Sequence, residues 1–455
     1  MSRRIMFAAP KSGSGKTTLA SGLLYLLAER GIRSGMLKCG PDYIDTMYAA
    51  AVPGVQTGNL DSFFLREEEI REKVKKMQQE TEFLLLEGAM GYYDGTCFTS
   101  RASCYELARV TETPVILVVD CKGMGASLLA LIRGFQEQEK PSGIVGVICS
   151  RMSEKLYREA APRIEALSVR SLGYVPDSRE LSLSSRYLGL KTPEEPASLL
   201  PFLRRAAEII EQTVDVDGIL ELAGQAADIP KEKAAVSACN PDGIRSRERA
   251  KIAVSRDEAF CFCYEDNLRA MRAYGIDPVF FSPIRDKRLP EGCQGLYLCG
   301  GYPELYAAEL EQNKELREEV YRAVTGGMPT VAECGGFLYL QKELQTENGS
   351  FSMAGVLPGS SRKGEGLRNF GYHWMQAGAD SLLFRKGERI PVHEFHYYVA
   401  SDPGDAFWLK KEGREDKHPG GYASGTLYAG FPHLYFEAFP RLLLRWKEAC
   451  HGKGV

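Results

Sequence analysis

The segment Ile5-Met6-Phe7-Ala8-Ala9-Pro10-Lys11-Ser12-Gly13-Ser14-Gly15-Lys16-Thr17-Thr18 constrains the chain most, because an apolar β-rich run passes through a glycine-containing loop straight into a helix-forming stretch. Such a loop lets backbone N–H groups converge on one point, and the helix that follows adds a dipole favourable to an anion. The pattern predicts a nucleotide phosphate cradle, with Lys16 on the β- and γ-phosphates and the Thr17 hydroxyl on Mg²⁺. Lys11, Gly13, Ser14, Gly15 and Thr18 complete the candidate ATP contacts. Pro10 stands where the common GxxxxGK[ST] pattern has its first glycine, so the loop is a variant. A glycine-rich turn that binds nothing is the plainer alternative, but strand, loop, GKT and helix all fall in the expected order.

Further short β-rich runs alternate with helical ones as far as about Pro176: SGMLKCG, FLLLEGAMG, PVILVVD and GIVGVICSRM. That alternation predicts a parallel sheet wrapped by helices. A small, polar, weakly periodic stretch near Gly224 to Arg249 is the best linker. A second α/β series follows, with KIAVSRD, DPVFFSPI, GLYLCGG, a charged helix around Glu304 to Val324, and MPTVAECGG. The expected layout is residues 1–224 as a phosphate-loop domain, 225–249 as linker and 250–455 as a second α/β domain.

At 455 residues the chain can fill two or three domain cores. Lys+Arg (57) nearly balances Asp+Glu (60), which argues against a nucleic-acid or anionic-membrane surface. Twelve cysteines lack the paired CxxC spacing of a zinc site, and read mostly as buried thiols in a reducing compartment. The N-terminus has too short an apolar run for a secretory signal, and no stretch approaches the roughly twenty apolar residues of a membrane span. A cytoplasmic protein with small-molecule partners is expected.

Two segments refine the first domain. The strand Phe83-Leu84-Leu85-Leu86 delivers Glu87 beside the phosphate loop, where a carboxylate can hold Mg²⁺ directly or through water. Lys38-Cys39-Gly40-Pro41-Asp42-Tyr43-Ile44-Asp45-Thr46 follows another strand, and its two aspartates can serve metal and substrate on one helical turn. Helix capping alone explains either aspartate equally well.

In the second domain, Thr330-Val331-Ala332-Glu333-Cys334-Gly335-Gly336-Phe337-Leu338 reads as strand, tight turn and helix with the cysteine at the bend. A thiol at such an elbow is a nucleophile candidate, with its pKa lowered by the helix N-terminus and backbone N–H groups ready for an oxyanion. Most cysteines are inert core residues; the flanking glutamate and glycines set Cys334 apart. Cys299-Gly300-Gly301-Tyr302-Pro303-Glu304 is suited to complete an oxyanion hole, although a structural turn needs the same glycines. Gly301 and Gly335 are therefore the oxyanion candidates. Of the six histidines, all C-terminal, His433 after the Gly-Phe-Pro turn is the expected base, and His396 in His393-Glu394-Phe395-His396-Tyr397-Tyr398 is its competitor.

Together APKSGSGKTT, KCGPDYIDT, NLDSFFL, LLEGAMGYYDG, LYLCGGYPE, AECGGFLYL, EFHYY and GYASGTLYAGFPHLYF occur in an order that resembles the cobyrinic acid a,c-diamide synthase family. These cobalamin-pathway amidotransferases fuse a dethiobiotin-synthetase-like phosphate-loop domain to a class I glutamine amidotransferase domain of flavodoxin-like α/β fold. The phosphate loop, with lysine at Lys11, is similar to that of the dethiobiotin synthetase and partitioning-ATPase branch. The resemblance implies ATP- and Mg²⁺-dependent amidation of the a and c carboxylates of a corrinoid, with glutamine as nitrogen donor. It assigns Cys334 and His433 to catalysis, Thr17, Asp45 and Glu87 to the metal, and Asp42, Tyr43 and Asp94 to substrate. It supplies no acidic third member of a triad. It leaves the tetrapyrrole and the choice between monomer and homodimer open.

The chain departs from the family at Ser150-Arg151, where Asn-Arg is frequent and nucleobase reading is expected, and at Tyr187, where histidine is frequent. Competing readings are a sibling enzyme acting on hydrogenobyrinate or nickel sirohydrochlorin, cobyric acid synthase, plain dethiobiotin synthetase, or a phosphate-loop switch with an inactive glutaminase domain.

Overall fold

The computed structural model describes residues 3–181, 196–229 and 248–452, and the chain divides into two compact units, Met1–Ala235 and Val236–Val455. Most of the expected linker, and the segment around Tyr187, lie outside the described residues.

The first unit is built on seven strands: β1 (Arg3–Ala8), β2 (Ser34–Cys39), β3 (Gln56–Leu60), β4 (Phe83–Glu87), β5 (Val115–Asp120), β6 (Ile144–Ser150) and β7 (Arg170–Val175). They pair in the order β3-β2-β4-β1-β5-β6-β7, every neighbour parallel. Phe83-Leu84-Leu85-Leu86 and Val115-Ile116-Leu117-Val118-Val119 are fully buried, as unbroken apolar runs must be when helices cover both faces of a parallel sheet. The helix after the phosphate loop, α1 (Lys16–Glu29), packs on the helix Pro196–Thr213. Their close approach depends on Gly22, where a Cβ would stand 2.5 Å from Ile210 Cδ1 and 2.9 Å from Ala206 Cβ.

The second unit holds two sheets. The first contains β8 (Ala250–Ser255), β9 (Ile276–Phe281), β10 (Gly295–Leu298) and β11 (Thr330–Glu333), joined late in the chain by β18 (Tyr422–Ala423) and β19 (Leu427–Gly430). Its order is β18-β19-β11-β10-β8-β9, parallel except for the β18–β19 pair. Pro278 lies in β9 at the sheet edge, where a missing N–H is tolerated. The second sheet comprises β12 (Glu343–Thr346), β13 (Gly349–Ser352), β14 (Ser360–Ala377), β15 (Arg389–Ala400), β16 (Phe407–Lys411) and β17 (Lys417–Gly420). Only β12 and β14 run parallel in it.

This second sheet was not expected from sequence. Nor was the interruption of the charged helix around Glu304 to Val324. That stretch forms a 3-10 turn at Pro303–Leu305, a short helix Ala307–Gln312 and a helix Lys314–Thr325, broken at Asn313 with ψ 60°. Its side-chain amide donates to the Pro283 and Asp286 carbonyls, so tertiary bonds outweigh helical continuity. Among the described residues no helix is long and apolar enough to cross a membrane.

Candidate active sites

At the carboxyl ends of β1, β2, β4, β6 and β7 lies a cavity of about 570 Å³, lined by the phosphate loop, Lys38, Asp42, Asp45, Gly88, Met90, Ser150, Arg151 and Asp177. Gly13 and Gly15 sit at φ 74° and 90°, a region that favours glycine. A Cβ on Gly15 would also stand 2.8 Å from Ser150 Oγ. Lys16 Nζ donates to the Met90 carbonyl at 3.0 Å. Burial, then Lys38, lowers the pKa of its ammonium.

Thr17 Oγ1 lies 3.0 Å from Asp45 Oδ1 and 2.9 Å from Glu87 Oε1, and its single proton can serve only one of them at a time. Asp45 is in the first turn of α2 (Ile44–Ala50). Asp42 lies before that helix and accepts the Ile44 N–H at 2.8 Å, so the two aspartates do not share a helical turn as expected. Burial, and then Asp45, raises Asp42 to about 6 and Glu87 to about 7.

One residue at this site was missed by the sequence reading. Lys38, at the end of β2, is buried and ion-paired with Asp45, lies 3.4 Å from Glu87 Oε1, and donates to the Gly88 carbonyl at 3.1 Å. Burial opposes its charge, but Asp45 and Glu87 outweigh that and hold its pKa well above the ordinary lysine value. The available signal was a lysine inside an apolar strand that ends beside two aspartates.

Mg²⁺ fits this donor set. Glu87 Oε2 is buried and makes no hydrogen bond, and the Thr17 hydroxyl and Asp45 stand beside it. Among the described residues no cluster of three or more His, Cys, Asp or Glu side chains forms a self-sufficient cage. That suits an ion held by one or two carboxylates together with phosphates and water.

Farther along the loop, Lys11 Nζ lies 3.5 Å from Asp120 Oδ2, and Asp120 also binds the Arg151 guanidinium. Thr18 Oγ1 donates weakly to the Leu181 carbonyl at 3.4 Å. Tyr43 is nearly buried. Asp94 is exposed and accepts the Gly91 N–H at 2.9 Å, closing its own loop.

In the second unit, β10, β11 and β19 are neighbours, so the residues just past their carboxyl ends meet. These are Gly300-Gly301, Cys334 and the Gly430-to-His433 turn. Cys334 has φ 47° and ψ −101°, and its N–H donates to the Gly430 carbonyl at 2.8 Å. Gly300 lies against His433, since a Cβ there would stand 2.6 Å from His433 Cε1. A Cβ on Gly335 would stand 2.8 Å from the Gly301 nitrogen. The Gly300-Gly301 loop thus bridges the cysteine elbow and the histidine.

The expectation of a lowered Cys334 pKa is contradicted. Burial, followed by Glu304, pushes the thiol up, and only the Gly335 N–H among the nearer groups opposes this. The helix behind it, Gly335–Leu340, spans only six residues and adds little dipole. The thiol lies 3.9 Å from the Phe395 carbonyl.

His433 is buried, and its N–H donates to the His393 carbonyl at 2.9 Å. Its Nδ1 lies 3.8 Å from Oε2 of Glu333, an acidic neighbour the sequence reading did not nominate. Glu333 also accepts from Tyr297 Oη at 3.0 Å and from the Leu434 N–H at 3.1 Å. Its signal was only its position one residue before the elbow cysteine. His396, the competing base, is occupied otherwise: its ring stacks on Phe431 at 3.7 Å and its Nδ1 is 2.6 Å from the Tyr398 carbonyl. His393 is held neutral, lowered to about 3 by burial and then by His433.

Comparison with known proteins defines the class. The CobQ/CobB/MinD/ParA nucleotide binding domain matches residues 5–188, and the CobB/CobQ-like glutamine amidotransferase domain matches residues 251–440. Relatives described as cobyrinate a,c-diamide synthase include one from Caldanaerobacter subterraneus, 36% identical with all of both chains covered. Another, from Priestia megaterium, is 35% identical over 98% of this chain and 97% of its own. A third, from Salmonella typhimurium, is 36% identical over the same shares. The chain belongs to the cobyrinate a,c-diamide synthase family.

Proposed function

We propose that this protein amidates the a and c side-chain carboxylates of cobyrinic acid, using ATP and nitrogen from glutamine. The observation that supports this reading is that, in a chain of that family, two groups of side chains suited to the two half-reactions gather at the ends of their sheets. One is Lys16, Thr17, Asp45 and Glu87 around the phosphate loop; the other is Cys334, the Gly300-Gly301 loop and His433.

In the glutaminase unit, His433 takes the thiol proton as Cys334 attacks the glutamine amide, and N–H groups of Gly301 and Gly335 receive the oxyanion. The proton goes to the departing ammonia. Water then hydrolyses the γ-glutamyl thioester, releasing glutamate and restoring the thiol.

In the synthetase unit, backbone N–H groups of Gly13 to Gly15 and the Lys16 ammonium hold the ATP phosphates, with Lys11, Ser14 and Thr18 alongside. Mg²⁺ held by Thr17, Asp45 and Glu87 would neutralise charge on the phosphates. Asp42, Tyr43 and Asp94 would orient the substrate, whose carboxylate oxygen attacks the γ-phosphorus as ADP leaves. Ammonia then displaces phosphate from the acyl phosphate to form the amide. The described cysteines are all free thiols, which suits a reducing cytoplasm.

The test is amide formation on cobyrinic acid with ATP, Mg²⁺ and glutamine, read by mass spectrometry. The expected result is two added amides for wild type, rescue of Cys334→Ala by ammonium alone, and loss of activity with either nitrogen source for Lys16→Ala. Glutamate release with unchanged cobyrinic acid would remove the substrate assignment.

A further inference from the structure

We propose that Phe98, on the loop after β4, packs against the apolar face of the substrate macrocycle and sets its affinity. The inference rests on the corrinoid reading above. Ser150 ends β6, Arg151 comes just after it and Asp177 follows β7, whereas Lys38 lies at the end of β2, Asp42 and Asp45 follow that strand and Met90 follows β4. The strand order β3-β2-β4-β1-β5-β6-β7 puts these groups on opposite sides of the phosphate loop. In the reading above Lys16, Thr17, Asp45 and Glu87 hold the terminal phosphate and its metal, and they gather beside Met90 and Lys38, so the γ-phosphate faces β4 and β2 and the nucleoside faces β6 and β7. The acceptor carboxylate therefore enters over β4, β2 and β3, in the crevice at the strand ends.

The loop after β4 is built into that region. The Met90 carbonyl accepts Lys16 Nζ, and the Tyr92 N–H donates to the Ala9 carbonyl at 2.8 Å. Farther out the loop closes on itself, with the Thr96 N–H donating to the Arg101 carbonyl at 2.8 Å. A Cβ on Gly95 would stand 2.2 Å from the Arg101 oxygen. Arg101 in turn lies over the ring of Phe63, from the loop after β3, at 5.8 Å.

Met90, Cys97, Phe98 and Ala102 all have φ between 51° and 59°. A bulky residue is disfavoured there, and such strain persists where the surroundings enforce it, often at ligand sites. Phe98 is fully exposed and so contributes no core burial in return. Among the described residues of this unit, Phe98 and Met90 are the two most exposed large apolar side chains. A corrin-type macrocycle presents apolar faces and a rim of carboxylates. An aromatic ring on this loop covers a face while a rim carboxylate reaches the γ-phosphate, so that binding away from the reacting atoms positions the reaction.

Steady-state amidation of cobyrinic acid by the full-length chain tests this with Phe98→Asn and Phe98→Tyr. Asparagine tolerates positive φ and removes the ring, and neither change touches the core. Burying a phenyl ring is worth about tenfold or more in affinity. Phe98→Asn should raise KM for cobyrinic acid by that factor, leave KM for ATP and glutamine unchanged, and be rescued by tyrosine. An unchanged KM for cobyrinic acid, or an equal rise in KM for ATP, would overturn the inference. Wild type that releases glutamate but amidates no cobyrinic acid would overturn the substrate reading, and this inference with it.

Discussion

Glu333 Oε2 stands 3.8 Å from His433 Nδ1, although the two residues are a hundred positions apart and Glu333 directly precedes the nucleophile. The carboxylate can orient the imidazole and stabilise it once it takes the thiol proton. Glu333→Gln keeps the side-chain shape and removes the charge. Glutamine-dependent amidation should fall by about tenfold or more, with ammonium-dependent amidation unchanged. Parallel assays with the two nitrogen donors check this; equal loss in both would assign Glu333 a purely structural role.

Gly300 does not adopt a positive φ, so alanine there introduces no backbone strain. Its Cβ would meet His433 Cε1 at 2.6 Å and must move the ring. A displacement of about 1 Å at a reacting group can cost on the order of a hundredfold. Glutaminase turnover of Gly300→Ala should drop by that order while its melting temperature stays close to wild type.

The raised Cys334 thiol makes a pH prediction opposite to that of an activated elbow cysteine. A group with elevated pKa is protonated near neutrality, and its thiolate fraction grows about tenfold per pH unit below that pKa. Without glutamine, iodoacetamide should label Cys334 slowly at pH 7 and progressively faster toward pH 9. The exposed Cys97 provides an internal comparison in peptide mass spectrometry. Fast labelling of Cys334 at pH 7 would show that the thiol is activated in spite of its burial.

Lys38 neutralises Asp45 and Glu87 inside the first unit. Breaking a buried ion pair by removing one partner costs about 3–5 kcal/mol, because a charge is left unpaired. Lys38→Met should lower the melting temperature of the first unit and abolish amidation with either nitrogen donor, while glutaminase activity persists. Thermal melts with and without Mg²⁺ check the electrostatic cause, since the cation should recover part of the loss.

How much was legible in the sequence follows from the range of the forces involved. Continuous apolar runs such as Phe83-Leu84-Leu85-Leu86 announce buried parallel strands, because nothing else accommodates them between two helical layers. The second sheet of the glutaminase unit was not legible. β14 carries glycines and charges over eighteen residues and is exposed through most of its first two thirds, with buried positions alternating only from His373 to Ala377, too short a run to mark the whole strand. The break at Asn313 is likewise made by carbonyls about thirty residues away.

The sequence alone determined an α/β protein with a phosphate loop and a cysteine elbow, since strand–turn–helix units depend on glycine, chain stiffness and short-range hydrogen bonds. Only the tertiary structure decided which groups face one another: Lys38 between two carboxylates, Glu333 beside His433, and His396 stacked on Phe431. It also reversed the expected state of Cys334. Desolvation and long-range charge depend on what the rest of the chain packs around a side chain, and local sequence does not specify that.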